Sequence, residues 1–435
     1  MGVRKPKVVE ICAGAGGQAL GLERAGFDHQ LAVELDPTAC RTLRHNRPHW
    51  DVAEGDVADP EVWKPADHTG VDLLAGGVPC PPFTIAGQQL GATDERDLFA
   101  WAVTVCDVVQ PRALLLENVR GLSGSRFSGY RQAILDKLRD SGYIGEWRLL
   151  HASDYGVPQL RPRFVLVAMK PEYAEYYSWP EPTTPGDKAI KVGPTLLDLM
   201  ESNGWEGAKS WAEGANEIAP TIVGGSKKHG GADLGPSRAK AAWAKLGVDA
   251  WAIAETAPGP DWEPAVNKAG ETRPGPKLTA EMVARLQGWL NADEWRWEFQ
   301  GLKTSQYRQI GNAFPPPLAK AVGIQILRAL NKKGQRTPLV ESSDAVHDPV
   351  YRLLRSAERP IGAEQIVTKL DKIGVRMDLP GVERHINHLV RDFDVQVVER
   401  KSGGPAYQLG EFKAFIGQQD HERHDRFSKS RSRIS

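Results

Sequence analysis

Three features of the sequence predict a doubly wound α/β fold with a mostly parallel sheet. Apolar runs of strand length stand at 8–12, 31–35, 71–77, 113–118 and 164–169. Helix-period segments separate them at 17–26, 37–46, 97–109 and 129–142. The runs are continuously apolar rather than alternating, as strands covered on both faces are.

The first run passes into a glycine-rich turn, Ala13-Gly14-Ala15-Gly16-Gly17, which opens the first helix. An α/β sheet binds nucleotide-like ligands at that position. The turn lacks GxGxxG spacing, which disfavours a dinucleotide, and a simple close-packing turn is the plainer alternative. Glu34 ends the next strand, where an acid can hold ribose hydroxyls, and Asp56 follows the third, where it can accept from an exocyclic adenine amine. Together they suggest adenosine without a pyrophosphate. The fourth run ends in Gly76-Gly77-Val78-Pro79-Cys80-Pro81-Pro82-Phe83. Three prolines stiffen the loop around Cys80, which suits a positioned nucleophile better than a core thiol. The next run ends in Glu117-Asn118, where desolvation can raise a carboxyl into the general-acid range. A lone glutamate there is ordinarily structural; a strand-end cysteine on the same edge favours catalysis.

Composition narrows the class. The 435 residues, 41% hydrophobic and 25% charged, can bury more than one core. No apolar run approaches the ~20 residues of a membrane span. Cys12, Cys40, Cys80 and Cys106 form no CxxC pair and have no metal-like histidine spacing, arguing against a disulfide framework or metal centre and for a reducing compartment. Net charge is zero, yet the first 100 residues carry 9 Lys+Arg against 15 Asp+Glu, so a polyanion is expected to meet the later part of the chain.

Residues 1–170 are expected to form the cofactor-binding and catalytic domain. Beyond them the chain is rich in Pro, Gly and Trp, and ten of the thirteen tryptophans lie from Trp147 to Trp297. This predicts an irregular inserted domain over 171–276. Helical periodicity returns at 278–289 and 316–330, so 277–330 is expected to lead back to the catalytic domain, with 331–348 as a polar linker. Asp348-Pro349 reads as an N-cap with proline at the first helical position. A second helix follows at 363–373, and a third places Val382, Ile386, Leu389, Val390 and Phe393 on one face, with Arg384, His385, His388 and Arg391 outward. With two strands in VQVVER and AYQLGEF, residues 349–417 resemble a winged helix-turn-helix or a small helical packing domain. Residues 418–435 read as a disordered basic tail.

Read in order, the motifs resemble those of the DNA (cytosine-5)-methyltransferases over residues 8 to about 330. They are the glycine-rich turn, Glu34, Gly55-Asp56, Pro79-Cys80, Glu117-Asn118-Val119, Gln159-Leu160-Arg161-Pro162-Arg163, Arg285-Leu286-Gln287-Gly288 and Gln309-Ile310-Gly311-Asn312-Ala313-Phe314. The resemblance implies S-adenosylmethionine as cofactor, in a pocket of Glu10, Cys12, Ala13, Gly14, Gly16, Gly17, Glu34, Leu35, Asp56, Val57, Pro79, Asn312 and Ala313. It implies that Cys80 attacks carbon 6 of a flipped cytosine, that Glu117 stabilises nitrogen 3, and that Arg163 with Arg161 holds the cytosine carbonyl. Residues 171–276 would be the target recognition domain. Gln88 or Gln89 would fill the hole left in the duplex, and Lys227 and Lys228 would approach the DNA backbone; an ordinary surface loop and a solvated basic loop are the alternatives. Glu10 stands where the family usually has Asp, Cys12 where an aromatic often stacks on adenine, and PCPPF where many members have PCQ. Duplex DNA is the expected partner, a cognate restriction endonuclease a candidate one, and the bacterial cytoplasm and nucleoid the expected location; oligomeric state is left open. The rivals are a tRNA-methylating relative and a non-catalytic DNA-binding regulator. A long recognition stretch disfavours the first, and intact Cys80, Glu117 and Arg163 the second.

Overall fold

The structure, a computed structural model, describes residues 4–79, 98–225, 231–290, 292–336, 348–400 and 404–413. Seven strands, β1 (Lys7–Ile11), β2 (Asp28–Glu34), β3 (Val52–Glu54), β4 (Leu73–Gly76), β5 (Ala113–Val119), β6 (Ile144–His151) and β7 (Pro162–Met169), form one sheet in the order β3-β2-β1-β4-β5-β7-β6. The first five run parallel; β7 is antiparallel to both β5 and β6. The predicted class is thus observed. The apolar runs did not reveal β6, because Glu146, Arg148 and other exposed residues interrupt this edge strand.

Helices α1 (Gly17–Ala25), α2 (Pro37–Asn46), α3 (Leu98–Val109) and α4 (Ser128–Asp140) follow β1, β2, β4 and β5 in the chain. Asp36 caps α2 by accepting from the Thr38 and Ala39 amides at 2.8 and 3.2 Å, with Pro37 at the first position. α5 (Pro171–Ala174) is a single turn, and Tyr173 and Trp179 near it pack with the sheet's core. The Trp-rich stretch holds α6 (Val192–Glu201), α7 (Ala208–Gly214) and α8 (Ser237–Lys245), joined by long irregular segments. Its core, with Leu196, Met200, Trp243 and Ile253, continues into α9 (Ala280–Leu286) and α10 (Lys303–Asn312) and reaches Leu20 and Leu43 of the cofactor half. α11 (Pro316–Leu330) then lies along α1, where Gly21 permits close approach: a Cβ there would be 2.5 Å from the Pro316 carbonyl.

The C-terminal part comprises α12 (Pro349–Arg355), β8 (Ile361–Gly362), α13 (Ala363–Lys372), α14 (Leu379–Asp392), β9 (Phe393–Val398) and β10 (Ala406–Phe412), the strands ordered β8-β10-β9. This has the winged-helix order of elements. Three expectations for α14 are corrected. Val390 is exposed, since it is turned about 100° from Leu389, and Phe393 already belongs to β9. His385 is half-buried and faces inward, bonding Asp348 Oδ2 at 3.0 Å.

The module is also docked on α4. Leu389 sits where a side chain on Gly129 would go, Tyr130 packs edge-on against Phe412, and Arg126 forks onto the buried Asp392. Asp348, fully buried, accepts from Ser128 Oγ at 2.7 Å and from the Tyr351 amide at 3.0 Å. The bond to Asp348 raises the His385 pKa above the usual 6.5, outweighing burial. The charged pair therefore stabilises fully below that value and is lost as pH rises through the folded pKa. His385→Asn is expected to flatten this decline in urea unfolding measured across a pH series; an unchanged slope would count against the pair.

Candidate active site

The glycine-rich turn is shaped by backbone that few side chains tolerate. Cys12, Gly14 and Gly16 have φ of 51, 55 and 90°. A Cβ on Gly17 would lie 2.5 Å from the Phe314 carbonyl, so the turn and the far-distant Phe314 segment pack backbone to backbone. Glu34 fastens the turn: its Oε2 accepts from the Gly14 amide at 2.7 Å and its Oε1 from the Asp36 amide at 2.8 Å. Burial raises its pKa despite those bonds. Asp56 Oδ1 accepts from the Ala58 amide at 3.0 Å, holding the bend after β3.

Between these groups lies a cavity of about 320 Å³, within the size range of small-ligand sites, at the carboxyl edge of the parallel strands. Glu10, Cys12, Ala13, Gly14, Gly17, Glu34, Leu35, Asp56, Val57, Pro79, Asn312 and Ala313 all line it. Gly16 does not. Its α-carbon faces Trp297, whose indole would be 2.6 Å from any Cβ, so Gly16 serves the turn and not the cavity. Sequence reading missed Gln18 and three residues of α10, Ser305, Arg308 and Gln309, which also line it. Ser305 and Arg308 precede the Gln309-Ile310-Gly311-Asn312 motif and Gln309 opens it; their helical period was the available signal.

Glu117 ends β5 on the wall of the same cavity, 7% exposed. Desolvation raises its pKa, while Arg163 and then Arg161 pull it down. Arg163 forms a buried ion pair with it, its Nε against Glu117 Oε1, from the antiparallel neighbour β7. Gly77 lies beside this pair, its missing Cβ 3.6 Å from Glu117 Oε2. Asn118 Nδ2 donates to the Val78 carbonyl at 3.1 Å, fixing the segment that leads to Cys80. Cys80, Gln88, Gln89, Lys227 and Lys228 lie outside the described residues.

Arg161 is a correction. It is 1% exposed, and its guanidinium donates to the Ile222, Gly311 and Ala313 carbonyls at 2.7–3.1 Å. With four of its five N–H donors so occupied and the side chain buried, it is not placed to hold cytosine; it ties the start of β7, residue 222 and the end of α10 together. Gln159 does similar work, accepting from the Ile222 amide and donating to Gln287, which in turn donates to the Ile310 carbonyl. Part of each motif is therefore a hydrogen-bonded belt.

Of the other cysteines, Cys40 and Cys106 are buried thiols; desolvation pushes the first to about 12 and the second higher still. Among the described residues no helix is long and apolar enough to cross a membrane.

Comparison with known proteins agrees with this arrangement. Residues 6–328 match the family model "C-5 cytosine-specific DNA methylase". The chain is 58% identical over 429 residues to Type II methyltransferase M.NaeI of Lentzea aerocolonigenes, covering 99% of both chains. It is 48% identical over 332 residues to Type II methyltransferase M.NgoMIV of Neisseria gonorrhoeae, covering 75% of this chain and 98% of that protein. With Type II methyltransferase M.Eco47II of Escherichia coli the identity is 35%, over 76% of this chain and 80% of that one. The chain belongs to the C-5 cytosine-specific DNA methylases and is a DNA (cytosine-5-)-methyltransferase.

Proposed function

We propose that the enzyme methylates carbon 5 of cytosine within a short duplex DNA sequence, using S-adenosylmethionine bound in the cavity beside Glu117. The observation that carries this is the position of Glu117: one buried carboxyl lines the cavity, pairs with Arg163 and abuts the segment leading to Cys80. The residues present fit the cofactor. Glu34 is placed for ribose hydroxyls, Asp56 for the adenine amine, and Glu10 and Gln18 carry buried polar atoms without protein partners. Bound there, S-adenosylmethionine supplies a methyl group made electrophilic by its sulfonium.

Cytosine carbon 5 is a poor nucleophile. Attack of the Cys80 thiolate on carbon 6 pushes an electron pair toward nitrogen 3, which takes a proton from Glu117. Burial, which raises the Glu117 pKa, favours the protonated form that this step needs. Arg163 holds Glu117 in place and lends positive charge to the site. After carbon 5 has been alkylated, loss of its proton to a base, elimination of the Cys80 thiolate and return of the nitrogen-3 proton to Glu117 restore the ring. A paired base cannot reach these groups, so the target must be flipped out. Cys40 and Cys106 do not compete as nucleophiles, since burial keeps both protonated.

Residues 171–276 take the role of target recognition domain, 277–330 return to the catalytic domain, and 349–417 form the winged-helix module. The Type II designation of the relatives supports a restriction-modification setting, with a cognate endonuclease in the same bacterial cytoplasm. Bisulfite sequencing of DNA from a methylation-free host expressing the chain tests the activity and reads the target; unconverted cytosines at one motif are expected, and complete conversion would refute the reading.

The cofactor assignment has its own test. Glu34→Ala and Asp56→Ala are each expected to weaken S-adenosylmethionine binding by about 1–3 kcal/mol in calorimetry. Unchanged affinity in both would misplace the pocket.

A further inference from the structure

The strand that carries Glu117 runs straight into two short turns, Arg120–Ser123 and Ser125–Phe127, before α4 begins. Charged groups hold those turns. Arg131, buried on α4, donates from Nη1 to the Leu122 and Gly124 carbonyls at 2.7 and 2.8 Å. Its guanidinium lies 5.8 Å from the ring of Phe164, the neighbour of Arg163 on β7. Arg126, in the second turn, forks onto Asp392 with bonds of 2.8 and 3.2 Å, and Ser128, two residues on, donates to Asp348. Both carboxylates belong to the C-terminal module, and both are buried. Burial lowers the Arg131 pKa, and Asp348 is the charge that opposes it. The catalytic half thus brings two arginines to one turn, and the module brings their counter-charges.

The turn begins at the catalytic edge. Val119 stands opposite Arg163 in the sheet register, two residues after Glu117. Asn118, between them, accepts from the Val119 amide at 2.7 Å and donates to the Val78 carbonyl. A shift of the turn is therefore passed both to Glu117 and to the segment leading to Cys80.

We infer that Asp392 and Asp348 are positioning residues for methyl transfer. Acting through Arg126, Ser128 and Arg131, they hold the turn behind Glu117, so the C-terminal module takes part in the chemical step as well as in stability; this rests on the role proposed above for Glu117. A buried arginine that loses its counter-charge must move toward solvent or another acid. Arg126 would then no longer pin the second turn, and Arg131 would slacken its grip on Leu122 and Gly124. Displacing a reacting group by about 1 Å can cost on the order of a hundredfold in rate. Cofactor affinity is not expected to follow, because Glu34 ends β2, which β1 and β4 separate from β5.

The test is single-turnover methylation of unmethylated plasmid DNA by the full-length chain in saturating excess, beside calorimetry with S-adenosylmethionine. In enzyme excess the rate constant reports folded molecules only, so a variant that is merely destabilised keeps it. Asp392→Asn, Asp348→Asn and Arg126→Leu are expected to slow transfer about ten- to a hundredfold while cofactor affinity stays within about twofold. An asparagine at 348 can still cap α12, so that variant removes charge and not the cap. Arg126→Lys, which keeps the ion pair, should recover most of the Arg126→Leu loss. A carboxylate whose variant transfers within about twofold of wild type has no such role. Equal losses in Arg126→Lys and Arg126→Leu, or a parallel loss of cofactor affinity, would overturn the inference. Glu117→Gln separates this from the parent reading in the same assay. If it too runs at the wild-type rate, the catalytic edge is misassigned; if it alone is slow, only the module's role falls.

Discussion

Cys80→Ala is expected to lose methyl transfer by at least about 10³-fold while binding S-adenosylmethionine as the wild-type chain does. In the proposed mechanism the thiol works on cytosine, and the polar groups assigned to the cofactor, Glu34 and Asp56, lie elsewhere, at the end of β2 and the bend after β3. The two readouts therefore separate. Glu117→Gln should cost about 10²–10⁴-fold, since an amide can donate a hydrogen bond at nitrogen 3 but cannot deliver a proton. DNA carrying 5-fluorocytosine should trap the wild-type chain covalently and leave Cys80→Ala untrapped, because fluorine on carbon 5 blocks the final proton loss. Single-turnover methylation and denaturing gels give both answers. Substantial turnover by Cys80→Ala would end the covalent mechanism.

The second large effect reverses an expectation drawn from sequence. A polar linker before Asp348 suggests a chain that, cut near Arg336, still folds and methylates the same sequence and loses only DNA affinity or dimer formation. The structure instead buries α4 under the C-terminal module: Tyr130, Val350, Tyr351, Leu354 and Leu389 share one core with the sheet. Each such side chain is worth about 1.5–3 kcal/mol when buried, so the cut is expected to lower the thermal midpoint by at least about 5 °C. The full-length chain should unfold in one calorimetric transition. A truncated chain with an unshifted midpoint, or two independent transitions in the full-length one, would show that the docking contributes nothing. M.NgoMIV is 98% covered by its 332-residue match and does without a stretch of this length, so the family's catalytic fold does not demand it. This chain's α4 does, because Gly129, Tyr130 and Asp136 are fitted to it. The exposed Arg384 and Arg391 leave a DNA-facing role open to gel shifts across a salt series, which full-length protein can answer.

Most of the sheet was legible because a parallel strand buried on both faces must be apolar throughout, as 113–116 is. β6 was not, since an edge strand needs only a few inward residues. The cofactor edge was legible from glycines whose φ or lack of a Cβ is obligatory. Arg161 shows the limit of motif reading. Its spacing from Arg163 suggested a shared task, and only the fold reveals that Arg161, just before β7, spends its guanidinium on backbone carbonyls while Arg163, inside the strand, meets Glu117. Gln18 was invisible for a related reason. Nothing local marks an amide as unpartnered.

The contact between Gly224 and Gly311 sets a condition on anyone wishing to retarget this enzyme. The two backbones approach so closely that a Cβ on Gly311 would lie 2.4 Å from the Gly224 α-carbon, and one on Gly224 would strike Asn312. A chimera that imports another methylase's recognition segment must therefore place its splice points outside residues 222–225, keeping a glycine on each side of that crossing. A graft that carries a larger residue into it would displace Asn312 from the cavity wall, and under the proposed function is expected to lose methyl transfer however well it reads its new sequence.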